Sequence, residues 1–219
     1  MTAPAQRVDS NAEPRAAMID LAYALDTPDG GRVSPDHRAA LAAALESRLP
    51  WLADVPGAGI HHLRLVPGGG GQSLLSRRTR LVLRLPRERL AQARALQGTS
   101  LMVDNCELKL GPLQARELLP WGTLYAYLVL MVAEAGPDEA AFMRAVDDEL
   151  RAHGVSCRTV CGRRQALQAG TLSGYSLMLD GLSGPDSLRV LDQGLGSHRR
   201  LGCGLFVPHK SAAAVGTPH

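Results

Sequence analysis

The segment between residues 194 and 204 contains the residue types and spacing that could bind a phosphate. Two Gly-hydrophobic-Gly triplets, 194–196 and 202–204, flank five residues that include a histidine and two arginines. Glycine has no Cβ, so it reaches positive φ and lets another group approach the backbone closely. Amide donors and guanidinium groups both fit phosphate oxygens. The pattern therefore predicts a phosphate-binding turn.

Other glycine motifs and a purely structural turn are the alternatives for this segment. A nucleoside-triphosphate loop needs Gly-x-x-x-x-Gly-Lys-Ser/Thr, and this spacing differs from it. A dinucleotide fingerprint needs a third glycine at position 199, which is arginine here. The remaining alternative is a glycine-rich turn before a last strand, with solvated arginines.

The two triplets and the basic residues between them resemble the glycine-rich loop of CRISPR-associated repeat endoribonucleases, the Cas6 family of the RAMP superfamily. The following Leu-Phe-Val-Pro-His-Lys, residues 205–210, is similar to the tail of the Myxan-type branch of that family. The resemblance implies cleavage of repeat RNA in the CRISPR precursor transcript, with no metal or cofactor. The RNA's own 2′-hydroxyl would attack the adjacent phosphorus, which leaves a 2′,3′-cyclic phosphate and a 5′-hydroxyl.

Histidines suit this reaction, because an imidazole whose ordinary pKa is near 6.5 can act as a base or an acid. The resemblance implies a catalytic histidine in or just before the first helix, and His37 falls there. His61 is the second candidate, since Gly-Ile-His resembles the same branch, and neighbouring His62 ranks below it. Tyr23 is either a core residue or a donor to the phosphate.

RNA binding is expected in the second half of the chain. A hairpin stem would be held by its phosphates and its shape, because the major groove of A-form RNA is too narrow to read easily. The chain has two Phe and four Tyr, which disfavours a platform for stacked single-stranded bases. The expected RNA-binding residues are Arg158, Arg163, Arg164, Gly194, Gly196, Ser197, His198, Arg199, Arg200, Gly202, Gly204 and Lys210.

Composition limits the class of protein. A chain of 219 residues suits one large domain or two small ones, and its formal net charge of +3 requires any site for a polyanion to be local.

Cys157 and Cys161 could be half of a metal site, but a partner pair is missing, so no metal is expected. The polar segment 1–13 is no signal peptide, and no apolar run approaches the length of a membrane span. A soluble, cytoplasmic protein is expected.

Periodicity predicts the elements that must position these residues. Ser34 suits a helix N-cap, and the apolar positions that follow it keep helical spacing. Leu81, Leu83 and Leu85 alternate with other residues, as in a half-buried strand. The predicted helices are 37–49, 86–95, 137–153 and 184–193. The predicted strands are 18–25, 60–66, 79–85, 101–103, 106–110, 124–132, 155–161, a hairpin about Gly170 within 165–182, and 205–207.

This order gives β-α-β-β-α-β twice, and the resemblance implies two ferredoxin-like halves in tandem. The expected fold class is α+β with tandem ferredoxin-like (RRM-like) halves at 15–112 and 121–210. A flexible leader (1–14), a linker (111–122) and a flexible tail (211–219) complete the expected organisation.

The expected partners are the hairpin of the CRISPR repeat RNA and other subunits of an effector complex, with no direct contact to DNA. Two alternative functions remain at this point. One is a non-catalytic subunit of an effector complex that retains the guide RNA hairpin. The other is an unrelated ferredoxin-like protein whose glycine-rich turn holds a different phosphate ligand.

Overall fold

Two antiparallel sheets, one from each half of the chain, form the framework of the fold. The predicted leader and tail lie outside the described residues. A third, small sheet belongs to the first half. The computed structural model describes residues 15–27, 31–131, 138–167 and 170–210.

The first half contains a five-stranded sheet and two α-helices. Its elements are β1 (Met18–Asp26), β2 (Arg32–Val33), α1 (Arg38–Glu46), β3 (Gly59–Ile60), β4 (Leu65–Pro67), β5 (Ser73–Leu75), β6 (Arg80–Pro86), α2 (Leu90–Arg94), β7 (Ser100–Val103) and β8 (Cys106–Glu117). The spatial order of the large sheet is β3-β6-β1-β8-β7, and the small sheet has the order β2-β5-β4.

The second half contains a four-stranded sheet and two longer helices. Its elements are β9 (Thr123–Val129), α3 (Glu139–Ala152), β10 (Arg158–Leu167), β11 (Leu172–Asp180), α4 (Gly184–Gln193) and β12 (Phe206–Pro208). The spatial order of this sheet is β10-β11-β9-β12. A short 3-10 turn at Arg199–Leu201 precedes the last strand.

Both sheets share one topology. In each half, the second, third, first and fourth strands of the β-α-β-β-α-β unit follow one another across the sheet, as β3-β6-β1-β8 and as β10-β11-β9-β12. This is the ferredoxin-like arrangement. The predicted fold class, tandem ferredoxin-like halves, is confirmed.

The alternating pattern of β6 predicts which of its apolar residues are buried, and the structure confirms them. Leu81, Leu83 and Leu85 are fully buried, and Leu83 lies opposite Leu21 of β1. Arg84, on the opposite face of the strand, is also buried, with 1% of its surface exposed. That face is covered because the second half of the chain packs on it.

The predicted linker is largely a strand. β8 continues through Gly111 as far as Glu117, where it pairs with Ile19 near the start of β1. Because β1 is nine residues long, its backbone groups need a partner along that whole length. The first half therefore extends past the predicted boundary at residue 112.

Two predicted strands have different bounds in the structure. The predicted strand 60–66 is divided, because β3 pairs with β6 while β4 pairs with β5 in the small sheet. β10 runs without interruption from 158 to 167, with a register shift between Cys161 and Arg164. Such a bulge adds a residue to one strand and increases the local twist.

The side chains of Arg84 and Asp192 make polar contacts between the halves. The Arg84 Nη1 group donates to the carbonyls of Leu191 and Phe206 in the second half, at 3.2 and 2.9 Å. The Asp192 carboxylate accepts from the Ala17 and Met18 amides at the start of β1, at 3.0 and 2.9 Å. These contacts set where the glycine-rich segment meets the first half.

Among the described residues, the structure contains no helix with the length and apolar character needed to cross a membrane.

Candidate nucleic-acid site

The glycine-rich segment, residues 194–204, follows α4 and folds back on itself. The Leu195 amide donates to the Gly204 carbonyl at 3.2 Å. Gly194 and Gly204 have φ values of 65° and 66°. A Cβ atom on Gly204 would lie 1.9 Å from the Leu195 carbonyl oxygen. Glycine is required there, because an L side chain would strain the backbone and clash with the facing strand of the turn.

The amide groups of the four segment glycines already have acceptors within the protein. This finding corrects the prediction that bare amides await a phosphate, since a phosphate would have to displace these acceptors. The segment is instead closed onto the body of the second half. The pairs are Gly194 with the Val190 carbonyl at 2.8 Å, Gly196 with the Glu149 carboxylate at 2.9 Å, Gly202 with the Arg199 carbonyl at 3.0 Å and Gly204 with the Leu128 carbonyl at 2.8 Å.

The two arginines of the segment also have protein partners. The Arg199 Nη1 group donates to the Leu195 carbonyl at 3.1 Å. Burial lowers the pKa of Arg199, although the negative charge of Glu149 acts in the opposite direction. The Arg200 Nη1 group donates to Glu46 Oε1 at 2.6 Å, at a half-exposed position. Arg199 is therefore a structural contact rather than the free phosphate ligand predicted, whereas Arg200 could exchange an exposed ion pair for a phosphate.

The polar residues at the tip of the segment bond to each other. The Ser197 hydroxyl lies 2.7 Å from His198 Nδ1 and 3.1 Å from the Leu130 carbonyl. His198 is exposed and has a left-handed backbone with φ of 62°.

The segment contacts the first half at Gly202. A Cβ atom on Gly202 would lie 3.1 Å from the His62 amide nitrogen and 3.2 Å from Arg38 Nη1. The absence of a side chain at Gly202 therefore allows the segment to lie against β3 and the first turn of α1. This contact brings the second half to the predicted histidines.

His37 lies at the N-terminal end of α1 and is buried, with 2% of its surface exposed. Its Nδ1 lies 2.9 Å from the Ser34 carbonyl, so that nitrogen carries the proton and Nε2 is an acceptor. Nε2 is buried and has no hydrogen-bond partner among the described residues. Burial lowers the pKa of His37, and the hydrogen bond to Ser34 opposes this only in part. The ring is therefore neutral at physiological pH, with a free lone pair.

His61 follows β3 and pairs with Asp20 of β1. The His61 Nε2 atom lies 3.3 Å from Asp20 Oδ1, at a site where both side chains are more than four-fifths buried. The Asp20 carboxylate also accepts two hydrogen bonds from Arg84. Burial would raise the pKa of Asp20, but the charges of His61 and Arg84 and their hydrogen bonds outweigh it and hold this pKa well below its usual range.

His62 is held by residues from two elements, α1 and β9. Its Nδ1 lies 3.0 Å from Arg38 Nη2 on α1. Its ring stacks on Tyr127 of β9, with centroids 4.4 Å apart and planes 11° from parallel. Arg38 also donates to the Leu201 carbonyl in the glycine-rich segment at 2.7 Å. Sequence reasoning ranked His62 low and missed Arg38 and Tyr127.

The three histidines meet at one small pocket between α1 and the glycine-rich segment. His37, His61 and His62 line it together with Arg200 and Leu201. Its volume is about 10 Å³, roughly the room that one water molecule needs. The fold therefore brings together histidines from two separate stretches of the first half.

A larger cleft of about 430 Å³ opens beside this pocket and is strongly basic. His61 and His62 line it as well, and so does Asp20, whose charge is already paired with Arg84. The tyrosines Tyr125 and Tyr127 of β9 add aromatic surface. Four arginines in the cleft were missed by sequence reasoning, although the run Ser-Arg-Arg-Thr-Arg at 76–80 was a signal. They are Arg64, Arg78, Arg80 and Arg116.

The predicted arginines of β10 do not reach this cleft. β10 is the far edge strand of the second sheet, two strands from β9, or roughly 10 Å at the usual strand spacing. Arg158 is exposed and lies 3.7 Å from Asp180, and Arg163 and Arg164 are exposed as well. Lys210 is exposed after β12.

Tyr23, which the sequence left open as a core residue or a phosphate donor, belongs to the core. It is fully buried, and its hydroxyl donates to the Ala93 carbonyl at 2.6 Å.

In the part of the chain that the structure describes, no three His, Cys, Asp or Glu side chains are grouped as ligands for a metal ion.

Comparison with known proteins identifies relatives by sequence. The model of the Cas6 CRISPR family matches residues 19–211. The chain is 36% identical over 199 residues to the CRISPR-associated endonuclease Cas6 of Myxococcus xanthus, strain DK1622. That alignment covers 90% of this chain and 84% of the relative.

Solved structures share the fold at low sequence identity. A CRISPR-associated protein Cas6 superposes with a TM-score of 0.64 at 12% identity, over 88% of this chain and all of that chain. The product of a Cas6-related gene from Pyrococcus furiosus gives 0.59 at 12% identity, over 87% of this chain and 98% of that one. A RAMP protein described as binding different RNA substrates gives 0.57 at 12% identity, over 86% and 98%. Since the family model and a relative that is 36% identical both extend over most of its length, this chain belongs to the Cas6 family of CRISPR-associated proteins.

Proposed function

We propose that this protein is a cytoplasmic endoribonuclease that cuts the repeat RNA of a CRISPR precursor transcript without a metal ion. The Myxococcus relative is named an endonuclease, and one structural neighbour is described as binding RNA. The observation that carries the proposal is the arginine-lined cleft that contains His61 and His62 beside the glycine-rich segment.

The charges of the cleft fit an RNA backbone. Four arginines line it, while its carboxylate, Asp20, is neutralised by Arg84. Guanidinium groups bind phosphate oxygens through two parallel hydrogen bonds. Tyr125 offers a face on which a nucleotide base can stack, whereas Tyr127 already stacks on His62. RNA in the cleft would therefore have its phosphates near the histidines.

The exposed basic residues outside the cleft extend this surface. By strand pairing, Arg158 shares the face of the second sheet that carries Tyr125. A hairpin stem crossing that face from the cleft would meet Arg158 and Arg163 at its far edge, and Lys210 beyond β12. Arg164 lies opposite the buried Tyr175, on the other face of the sheet, and its contact with RNA remains a prediction. Contacts with other subunits of an effector complex remain a prediction.

His37 is the proposed general base. The 2′-oxygen forms a bond to phosphorus while its proton moves to His37 Nε2, which is unprotonated and has no hydrogen-bond partner among the described residues. A buried acceptor without a partner costs about 1–3 kcal/mol, and the role of a general base gives this cost a functional reason. The hydrogen bond from Nδ1 to Ser34 keeps the ring in the form that a base needs.

His61 is the proposed general acid. As the bond between phosphorus and the 5′-oxygen breaks, a proton from His61 neutralises the leaving oxygen. Asp20 accepts from Nε2, so Nδ1 is the nitrogen left for the RNA. The products are a 2′,3′-cyclic phosphate and a 5′-hydroxyl, and the proton taken by His37 balances the one given by His61.

RNA must widen the small pocket to reach His37. Arg200 lines that pocket and is paired with Glu46. A solvent-exposed ion pair contributes about 1 kcal/mol or less, so exchanging Glu46 for an RNA phosphate costs little. Arg200 would then contact the RNA.

The test is incubation of the protein with its repeat RNA in excess EDTA. We expect one cut that leaves a cyclic phosphate and a 5′-hydroxyl. His37→Ala and His61→Ala should each lower the single-turnover rate by about 100-fold or more, with RNA affinity retained. Arg144→Ala, on the exposed face of α3, serves as the control.

Each other outcome is informative. Binding without cleavage by the unaltered protein would identify an RNA-retaining subunit instead of an enzyme. Cleavage that needs a divalent ion would refute the metal-free mechanism. A normal rate in His37→Ala together with a lost rate in His61→Ala would remove His37 from the reaction and leave the function in place.

A further inference from the structure

We infer that His62 is a neutral hydrogen-bond donor to the phosphate being cut, and that Arg38 is the positioning residue that holds His62 in this form. The inference rests on the proposed cleavage of RNA in the cleft. It assigns a third histidine a role that differs from those of His37 and His61, since His62 neither gains nor loses a proton.

The contact between Arg38 and His62 determines the tautomer. Arginine has five N–H donors and no acceptor. Because Arg38 Nη2 lies 3.0 Å from His62 Nδ1, Nδ1 must accept, and the ring proton is on Nε2. The nitrogen that remains for a ligand in the cleft is therefore a donor.

Two further contacts fix the position of this donor. Stacking on Tyr127 sets the plane of the ring. The second hydrogen bond of Arg38, to the Leu201 carbonyl, joins the guanidinium to the glycine-rich segment. Arg38 is itself 9% exposed, so its position is set by packing as well as by these bonds.

The surroundings of His62 keep it uncharged. Burial, followed by the charge of Arg38, lowers its pKa to about 4, and the charges of His37, when protonated, and of Arg64 act in the same direction. The other charged groups that line the cleft are a carboxylate paired with Arg84, a second histidine and three further arginines. They are Asp20 on β1, His61 after β3, Arg78 before β6, Arg80 on β6 and Arg116 on β8.

A neutral ring with an occupied Nδ1 suits one task in this reaction. As the 2′-oxygen bonds to phosphorus, negative charge develops on the non-bridging phosphate oxygens. A fixed N–H donor stabilises that charge without reorganisation of solvent. The proton stays on Nε2 throughout, while the proton transfer proceeds through the other two histidines.

The first experiment measures the tautomer directly in the protein without RNA. In protein labelled with nitrogen-15 at histidine, we expect the His62 signals of an unprotonated Nδ1 and a protonated Nε2 from pH 8 down to pH 5.5. His62→Phe identifies the signals by their loss. In Arg38→Met, we expect His62 to titrate at higher pH and to lose its single tautomer, whereas Arg38→Lys keeps a donor and should restore it in part.

The second experiment compares substitutions at His62 in single-turnover cleavage. His62→Phe keeps the stack on Tyr127 but has no donor, and we expect a rate lowered by about 100-fold with RNA affinity retained. His62→Gln keeps an N–H donor without a titrating group, so it should retain more activity than His62→Phe. The slope of the acidic limb of the pH–rate profile should be unchanged in His62→Gln.

Three results would overturn the inference: a protonated Nδ1 on His62, titration of His62 near pH 6.5 in the unaltered protein, or equal rates for His62→Gln and His62→Phe. These are distinct from failure of the proposed function. A protein that cuts no RNA could still show the tautomer, and a protein that cuts RNA could still lack it.

Discussion

Asp20 and Arg84 lie directly opposite each other on β1 and β6, and two hydrogen bonds join their side chains. Arg84 Nε donates to Oδ1 at 2.8 Å and Nη2 donates to Oδ2 at 3.0 Å. Arg84 also contacts the second half of the chain, and Asp20 also contacts His61. One cross-strand pair therefore connects the first sheet, the interface between the halves and a proposed catalytic residue.

Removal of the Asp20 charge should destabilise the protein substantially. Asp20→Asn leaves the Arg84 guanidinium, which is 1% exposed, without its counter-charge. Breaking a buried pair costs about 3–5 kcal/mol, and we expect the lower part of that range for the free energy of unfolding in urea. Asp148→Asn is the control, because its pair with Arg151 is exposed and should contribute less than about 1 kcal/mol. Equal losses in the two variants would contradict the importance of the buried pair.

The same pair predicts a dependence of stability on acid. The pKa of Asp20 in the folded protein lies below the ordinary value of 3.8. Its contribution is therefore fully present above that value and is lost as pH falls through the folded-state pKa. Urea titrations from pH 7 to pH 2.5 should show stability falling below about pH 4, and Asp20→Asn should show a smaller fall. A parallel decline in both proteins would assign the acid sensitivity to other carboxylates.

Substitution of Gly204 should be far more damaging than substitution of a glycine at a loop tip. In Gly204→Ala, the new methyl group meets the Leu195 carbonyl and the backbone keeps φ of 66°. Strain of this kind costs about 1–3 kcal/mol before the clash is counted. Gly69→Ala is the matched control, because no atom of the described part of the chain lies within 4 Å of its Cβ position. We expect a clear fall in the melting temperature for Gly204→Ala and almost none for Gly69→Ala.

Two arginines should respond to substitution in opposite ways. Arg80 lines the cleft, so Arg80→Ala should weaken binding of the repeat RNA and reduce the salt dependence of binding by about one phosphate contact. Arg199 packs within the glycine-rich segment, so Arg199→Ala should lower the melting temperature and leave the salt slope unchanged. Affinity measured from 50 to 300 mM salt, beside thermal unfolding, separates the two effects. A reduced slope for Arg199→Ala would restore it as a phosphate ligand.

Local pattern predicted many of the elements and their order, and the family resemblance supplied the tandem ferredoxin-like fold class. The alternation of Leu81, Leu83 and Leu85 identifies a strand because successive side chains on a strand point to opposite faces. Helix α4 spans Gly184–Gln193, the predicted range, and the Ser183 hydroxyl caps it by accepting from the Asp186 amide. These signals depend on residues that are close together in the sequence, so they can be recognised without knowledge of the fold. The strand within the predicted linker could not be recognised in this way, because the extension of β8 to Glu117 depends on pairing with β1, which is distant in the sequence.

The sequence alone determined the tandem ferredoxin-like order of elements and the approximate places of His37 and His61 within it. The groups that these histidines contact could be known only from the folded chain. Asp20 and Arg84 are 64 residues apart, and Arg38 contacts Leu201 across 163 residues. Such contacts follow from strand register and from the packing of the two halves. The arginines at residues 64, 80 and 116 have no common local motif, and they share a cleft because separate strands and loops carry them to it.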